Sequence, residues 1–152
     1  MILEYQCLRE NAKRPTRSNP SDAGLDVYFN PSNGKEIQIH INESKKLETA
    51  LVFEIPHGYM LKIENRSSMA GNRGLLVGGG VIDPGYSGEI VVNLINVGME
   101  QPAVIKPGDK IAQLVLVPVV HFKAFEKVGG NLYEYPVAIS ERGDGGFGST
   151  GT

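Results

Sequence analysis

Cysteine, tryptophan and long apolar runs are what this sequence has least of. Its 152 residues contain one cysteine, Cys7, and no tryptophan. A single cysteine excludes a disulfide within the chain, which fits a reducing, cytoplasmic compartment. The first 11 residues carry too few apolar side chains for a signal peptide. Nowhere do about 18 apolar residues follow one another, so we expect no membrane partner.

The charge balance and the missing motifs narrow the function further. The formal net charge is -2, which speaks against a broad nucleic-acid-binding face, so we expect no direct nucleic-acid partner. No Gly-x-x-x-x-Gly-Lys-Ser/Thr loop and no Gly-x-Ser-x-Gly motif occurs. His40, His57 and His121 are isolated from one another, and no His/Cys spacing indicates a zinc site.

Strand signals extend over most of the chain. Alternating, β-branched or aromatic runs between turn residues predict strands at 36–41, 52–56, 59–64, 88–96, 110–120 and 121–125. The best helical signal covers one or two turns within residues 66–74, and Pro118 predicts a bend or an edge in its strand. This pattern favours an all-β sandwich or barrel of short strands. The length and the hydrophobic content of 41% indicate one domain over residues 1–152.

Two short segments place polar side chains near strand starts. SDAGLDV, residues 21–27, puts Asp22 and Asp26 around a glycine, which is typical of a turn with solvated carboxylates. PGDKIAQL, residues 107–114, begins as a turn and continues as a strand with Gln113 in an apolar run. Gln113 either faces solvent or reaches a phosphate group through its amide.

The segment NRSSMAGNRG, residues 65–74, gathers a cation and two hydroxyls at the start of the predicted helical turn. Helix-start amides, the guanidinium of Arg66 and the hydroxyls of Ser67 and Ser68 together make an anion site. The alternative is ordinary capping of the helix by serine, with Arg66 on the surface.

GGGVIDPGYSGEI, residues 78–90, is the most unusual stretch. Three consecutive glycines precede a strand-like Val-Ile-Asp, and the residues from Asp83 to Tyr86 then have the composition of a tight turn. A hairpin explains the Pro-Gly pair but not the three glycines, which would let backbone groups approach a flat ligand closely. Asp83 at the edge of this hairpin is a candidate general base.

The last segment, RGDGGFGSTGT at residues 142–152, contains five glycines and one large apolar side chain. Such a segment cannot bury enough surface to order by itself. It offers a cation, an aromatic ring and hydroxyls on a glycine backbone, whose successive amides can form an anion-binding nest. The alternative is an ordinary disordered terminus.

Taken in this order, the five segments resemble the five motifs of the trimeric dUTP pyrophosphatase (dUTPase) family. The matching stretches are AGLD (23–26), RSSMA (66–70), GVIDPGYSGEI (80–90), GDKIAQL (108–114) and RGDGGFGSTG (142–151). The resemblance implies a β-barrel or jelly roll that assembles as a homotrimer, with active sites built from more than one subunit. It also implies hydrolysis of dUTP to dUMP and pyrophosphate with Mg2+, which limits uracil in DNA and supplies dUMP for thymidylate synthesis.

The resemblance further implies roles for individual residues. Asp83 activates the attacking water, and Tyr86 packs against the deoxyribose so that no room remains for a 2′-hydroxyl. Asp26 organises waters on the magnesium ion, which is held mainly by the substrate's phosphates. Arg66 contacts the phosphates, as do Ser67, Ser68 and Gln113. The hairpin backbone contacts the uracil, and these backbone contacts include Gly80, Val81 and Ile82.

The same resemblance makes the C-terminal residues from about 130 to 152 an arm that closes over an active site. Phe147 would lie over the uracil. The γ-phosphate would be held by Arg142, Ser149 and Thr150, with Gly146 and Gly148 letting the backbone wrap closely.

The sequence also departs from the family's usual pattern, and two alternatives remain. Asn65, Ser68, Val77 and Ser87 stand where many members have other residues, and Val77 removes a side chain that often assists at the uracil pocket. The dCTP deaminases share two of the segments but have a proton-transferring glutamate where this sequence has Asn93, and an amide cannot shuttle a proton. The other alternative is a nucleotide-sensing or protein-binding module that retains the fold without catalysis, and the presence of both Asp83 and the arm argues against it.

Overall fold

The computed structural model describes residues 1–98 and 100–132. Contacts along the chain divide it into one unit from Met1 to His121 and a second that begins at Phe122. The helix and the strands all belong to the first unit, and residues 122–132 of the second contain neither. Most of the predicted C-terminal arm lies outside the described residues, so the single-domain assignment stays a prediction.

Short strands dominate the described part of the chain. They are β1 (Tyr5–Cys7), β2 (Leu25–Tyr28), β3 (Ile37–Ile39), β4 (Ser44–Glu48), β5 (Leu51–Phe53), β6 (Tyr59–Glu64), β7 (Leu75–Val77), β8 (Val81–Ile82), β9 (Val91–Asn96), β10 (Ala103–Ile105) and β11 (Lys110–Pro118). One helix, α1 (Ser67–Arg73), lies between β6 and β7. No helix formed by the described residues is long and apolar enough to cross a membrane.

Every strand pair is antiparallel. The larger sheets have the orders β2-β11-β6-β8 and β4-β9-β7, while β1 pairs with β5 and β10 with β3. Each larger sheet turns one face to the core, as in β9, where Val92 and Leu94 are buried and Val91 is exposed. Residues from both sheets, among them Leu47 and Leu114, belong to one apolar core. This all-β arrangement confirms the predicted fold class.

The periodicity predicted several elements closely. β6 occupies the predicted range 59–64, and α1 lies within the predicted range 66–74. The strands predicted at 36–41, 52–56, 88–96 and 110–120 correspond to β3, β5, β9 and β11, each shorter than predicted. The strand predicted at 121–125 is wrong. β11 ends at Pro118, which lacks the N–H group that a continuing ladder needs.

Candidate active site

A buried carboxylate, Asp26, joins three segments that are far apart in the sequence. It lies on β2 opposite Gln113 of β11, and only 8% of its surface is exposed. Its Oδ1 accepts a hydrogen bond from Arg66 Nε at 2.8 Å, and its Oδ2 accepts one from Lys110 Nζ at 2.7 Å. Asp26 is therefore paired with two cations, whereas a simple turn would leave its carboxylate solvated.

The neighbours of Asp26 decide its ionisation. Burial raises the pKa of Asp26, but the hydrogen bond from Lys110 and the positive charges of Arg66 and Lys110 outweigh burial and lower the pKa below its ordinary value of 3.8. Asp26 is thus a carboxylate at neutral pH. Because two cations face one anion, the three side chains together carry an excess of positive charge.

A cleft of about 300 Å³ opens beside this cluster, and we call it the cationic cleft after the guanidinium of Arg66 on its wall. Its walls include Asp22, Asp26, Arg66, Ser67 and Gln113. Gly24 leaves room for Gln113, since a Cβ atom at position 24 would lie 1.9 Å from Gln113 Oε1. Gln113 Nε2 donates to the main-chain carbonyl of Asn65 at 2.8 Å. The Gln113 side chain therefore forms part of the wall.

Arg66 occupies the N-cap position of α1, where no side chain caps the helix. Capping by serine, the alternative for this segment, is therefore absent from this helix. Ser67 lines the cationic cleft, while Ser68 Oγ accepts a hydrogen bond from Arg66 Nη1 at 3.4 Å. The structure thus brings Arg66, Ser67 and Gln113 to one cleft and leaves Ser68 as a neighbour of Arg66.

A second cleft, of about 330 Å³, runs along the glycine-rich stretch, and we call it the hairpin cleft. Its walls include Gly80, Val81, Ile82, Asp83, Tyr86 and Asn93. The structure therefore brings together all the described residues that were predicted to contact the uracil and the sugar, with the candidate base among them.

The three glycines at 78–80 are explained by the protein's own packing. A Cβ atom at Gly78 would lie 2.6 Å from Ile95 Cδ1, and one at Gly80 would lie 2.7 Å from the carbonyl oxygen of Ile63. Gly79 has a φ angle of 85°, which disfavours other residues. Close approach of a flat ligand is thus not needed to account for this triplet.

Val81 presents its main-chain groups to the open edge of a sheet. β8 is an edge strand, in which Ile82 pairs with Leu61 of β6. The Ile63 N–H group donates to the Gly80 carbonyl at 2.7 Å. Since successive residues of an antiparallel strand direct their N–H and C=O groups to opposite edges, those of Gly80 and Ile82 face β6 and those of Val81 face outward.

The turn after β8 fixes Asp83 and Tyr86. The Tyr86 N–H group donates to the Asp83 carbonyl at 3.3 Å, and Gly85 has a φ angle of 82°, as a type II turn requires. Asp83 is exposed. Tyr86 Oη donates to the Glu89 carbonyl at 3.1 Å, and a Cβ atom at Gly88 would lie 2.6 Å from Oη. The tyrosine ring is therefore held across its own turn.

The two clefts share no lining residue. Asn65 lies between the two, because its Oδ1 accepts a hydrogen bond at 2.7 Å from the N–H of Val77, the residue before the hairpin cleft's Gly78, while its carbonyl accepts one from Gln113. The candidate phosphate contacts thus line one cleft, and Asp83 lines the other. Within the described part of one chain, neither cleft contains both the candidate phosphate contacts and Asp83.

Sequence reasoning missed several of these contacts. Lys110 lies inside the GDKIAQL segment, where its positive charge was a usable signal, but its pairing with Asp26 depends on the strand register. The Asn65 contact with Val77 has no sequence signal, because the two residues belong to different elements. Some predicted site residues lie outside the described residues, namely Arg142, Gly146, Phe147, Gly148, Ser149 and Thr150.

The substitution Asp26→Asn tests the charge pairing. A carboxylate whose pKa is lowered on folding adds stability that is fully present above its unfolded pKa, ordinarily 3.8, and is lost as the pH falls through the folded pKa. We expect Asp26→Asn to lower the free energy of unfolding by about 1–3 kcal/mol at pH 7, and by progressively less below about pH 4. Urea unfolding at a series of pH values measures the difference.

The matched control for that experiment is Asp22→Asn. The Asp22 carboxylate accepts hydrogen bonds from Asn19 and forms no ion pair among the described residues. Its replacement should therefore produce a smaller loss at pH 7. A loss for Asp26→Asn that persists undiminished in acid would contradict the proposed pairing with Arg66 and Lys110.

The whole chain is similar to proteins of one family. The profile of the dUTPase family matches residues 10–151. The deoxyuridine 5'-triphosphate nucleotidohydrolase of Anaplasma marginale is 38% identical over 140 residues, which cover 91% of this chain and 88% of that protein. The protein of the same name from Gloeobacter violaceus is 39% identical over 139 residues, covering 90% of this chain and 88% of that one.

Solved structures agree with this assignment. The dUTPase of Staphylococcus bacteriophage 80alpha with dUPNHPP has a TM-score of 0.76 and 26% identity, and the match covers 99% of each chain. A mutant dUTPase from phage phi11 of S. aureus, described with a structural Mg(II) ion, has a TM-score of 0.74 and 26% identity over 84% of this chain and 97% of that one. The resemblance carried by the five segments is confirmed: the chain belongs to the dUTPase family.

Proposed function

We propose that this chain is a dUTP diphosphatase, which hydrolyses dUTP to dUMP and pyrophosphate and so limits uracil in DNA and supplies dUMP for thymidylate synthesis. The observation that carries the proposal is Asp83, an exposed carboxylate at the end of β8, on the wall of the hairpin cleft. The family match over residues 10–151 and relatives named for the same reaction support it.

Asp83 acts as the general base in this proposal. Its carboxylate accepts a proton from a water molecule whose oxygen attacks the α-phosphorus of dUTP. A new P–O bond forms on one side of the phosphorus while the bond to the bridging oxygen breaks on the other, and pyrophosphate leaves. The tight turn that also holds Tyr86 keeps the base in a fixed place relative to the sugar.

The cationic cleft takes the phosphates. Arg66, Ser67 and Gln113 supply a guanidinium, a hydroxyl and an amide to a single cleft. Such donors match the non-bridging oxygens of a triphosphate, and the guanidinium can bind two of these oxygens at once. Ser68 contributes through its hydrogen bond with Arg66, which orients the guanidinium.

A bound Mg2+ would add positive charge beyond that of the protein's own side chains around the cationic cleft. The carboxylates of Asp22 and Asp26 offset the charges of Arg66 and Lys110, so these four side chains carry no net charge toward an anionic substrate. No three His, Cys, Asp or Glu side chains in the described ranges lie close enough together to hold a metal ion. The carboxylates beside the cleft therefore fit an ion that would be held mainly by the substrate's phosphates and that Asp26 would contact through water. When bound, Mg2+ neutralises charge on the phosphate oxygens.

The hairpin cleft takes the base and the sugar. The outward-facing N–H and C=O groups of Val81 contact the uracil edge, while Gly80 and Ile82 hold β8 against β6. The Tyr86 ring lies against the deoxyribose and leaves no room for a 2′-hydroxyl. Its hydrogen bond to the Glu89 carbonyl keeps the ring from rotating away.

The C-terminal arm completes the enclosure in this proposal. Support comes from the sequence match, which extends to residue 151. Closure of such a segment over bound nucleotide excludes water from the phosphates. We assign Phe147 to the uracil ring, Arg142, Ser149 and Thr150 to the γ-phosphate, and Gly146 and Gly148 to the close backbone path.

A second copy of the chain completes each site. The phosphate donors and Asp83 line separate clefts in one chain, so a homotrimer in which neighbouring copies juxtapose the two clefts would supply both. We propose this trimer as the active form, acting in the cytoplasm on free nucleotide. Neither a nucleic-acid nor a membrane contact forms part of the proposal.

Product analysis tests the reaction itself. The purified protein with Mg2+ should release pyrophosphate and dUMP from dUTP and leave dCTP, dTTP and UTP essentially unchanged. Conversion of dCTP to a uracil nucleotide would instead establish the deaminase alternative, despite the amide at Asn93. No turnover of any of the four would contradict the proposed function and favour a binding module.

The variant Asp83→Asn tests the general base. An amide of the same shape cannot accept the proton, so kcat should fall by about 100-fold or more while the Kd for dUMP changes little. Steady-state kinetics and calorimetric titration with dUMP measure the two effects. Glu36→Gln, an exposed carboxylate-to-amide change, is the control and should retain full activity. A kcat near that of the unchanged protein would rule out Asp83 as the base.

A further inference from the structure

We propose that Asn93 is a specificity-determining residue, whose side-chain amide donates a hydrogen bond to O4 of the uracil ring. The proposal rests on the function proposed above, since it assigns the 4-position of the base to a particular protein group. It is carried by the position of Asn93 on the wall of the hairpin cleft and by a contact that fixes the direction of its amide.

Asn93 reaches the hairpin cleft from a different sheet than Val81 does. It lies on β9, the middle strand of the three-stranded sheet, where Val92 and Leu94 point into the core. Asn93 points to the opposite face, is partly exposed, and lines the same cleft as Val81 and Asp83. Of the two asparagines on β9, Asn96 is buried with the core face, whereas Asn93 faces the space that the base would fill.

The glycine stretch fixes the orientation of the amide. Asn93 Nδ2 donates to the Gly78 carbonyl at 3.3 Å, and the Gly78 N–H donates back to the Asn93 carbonyl at 2.9 Å. Turning the amide over would place Oδ1 against the carbonyl oxygen of Gly78, where two acceptors would face each other. One N–H of the amide is therefore committed to Gly78, and the second remains a donor of fixed direction.

The hydrogen-bonding groups of uracil leave a place for this donor. The pairing edge of uracil has two acceptors, O2 and O4, on either side of the N3–H donor. The Val81 backbone offers one N–H and one C=O to the open edge, which satisfies one oxygen and N3–H. The remaining oxygen needs another donor, because a buried carbonyl without a partner weakens binding.

Cytosine would form an unfavourable contact with the Asn93 amide. Its 4-position carries an amino group, which would face the second Nδ2–H of Asn93, donor against donor. An amide free to rotate would simply turn over and accept from the amino group. The contact with Gly78 prevents that rotation, so the side chain can discriminate between the two pyrimidines at the position where they differ.

The substitutions Asn93→Asp and Asn93→Leu test the proposal. Aspartate has the same shape but turns the donor into an acceptor, and leucine removes both functions. We expect the kcat/KM for dUTP to fall about 10-fold or more in each, and its ratio to that for dCTP to fall by a similar factor. The Kd values for dUMP and dCMP should follow the same pattern, which gives a measure independent of turnover. Asn33→Asp, on an exposed turn, is the control. It should leave unchanged the ratio of kcat/KM for dUTP to that for dCTP and the ratio of the Kd values for dUMP and dCMP.

The outcomes separate this inference from the function on which it rests. If the unaltered protein neither hydrolyses dUTP nor binds dUMP, the proposed function fails. If it does both, and the Asn93 variants lose activity on dUTP and dCTP in equal proportion along with melting temperature, Asn93 only braces Gly78 and the inference is overturned. Asn93→Ser covers the case in which the other variants fold poorly, because its hydroxyl can rotate to donate to O4 or to accept from the amino group. Unchanged discrimination in Asn93→Ser would likewise overturn the inference.

Discussion

The interaction on which the candidate site depends is the pairing of one carboxylate, Asp26, with two cations. It ties β2 to the start of α1 through Arg66 and to β11 through Lys110. A buried ion pair adds little net stability relative to apolar packing, but removing one partner leaves an uncompensated charge. The pairing therefore constrains geometry more than it stabilises the fold. It holds the Arg66 guanidinium on the wall of the cationic cleft, and each oxygen of Asp26, the residue assigned to the magnesium waters, accepts one of the two hydrogen bonds.

The second feature of the molecule is the separation of the chemistry into two clefts. Asp83, Tyr86 and Val81 line the hairpin cleft, while Arg66 and Gln113 line the cationic cleft. The two clefts share no lining residue within the described part of the chain. Under the proposed function, the described part of a single chain thus carries two separate halves of a site. Association of identical copies is the economical way to join them, because a symmetric oligomer repeats every such junction.

The sequence predicted the parts of the structure that have a strong local signal. The alternation in YMLKIE predicted β6, and the Ser-Ser-Met-Ala stretch predicted α1. β1, β7 and β10 lie outside the alternating or β-branched runs that predicted the other three-residue strands, β3 and β5, so no local signal indicated them. The strand predicted at 121–125 was wrong because apolar and aromatic letters do not reveal that β11 ends at Pro118.

The candidate site, too, was predicted from the sequence only where the signal was local. Five segments pointed to its residues, but the contacts between segments depend on register, which no segment contains by itself. Lys110 meets Asp26 only because β11 pairs with β2, and the Asn93 amide meets Gly78 only because β9 lies beside β7. The glycine triplet had an ordinary structural cause that became visible only in three dimensions: Gly78 packs against Ile95, Gly80 packs against Ile63, and Gly79 has a positive φ angle.

The central claim, that each site joins the hairpin cleft of one copy to the cationic cleft of another, is tested most directly by mixing two inactive variants. Chains carrying Asp83→Asn and chains carrying Arg66→Gln would be refolded together in equal amounts, and dUTP hydrolysis compared with that of each variant alone. In a shared site, roughly a quarter of the junctions combine two intact halves, so about that fraction of full activity should return. A mixture no more active than its components would contradict the account and place both halves of each site within a single chain.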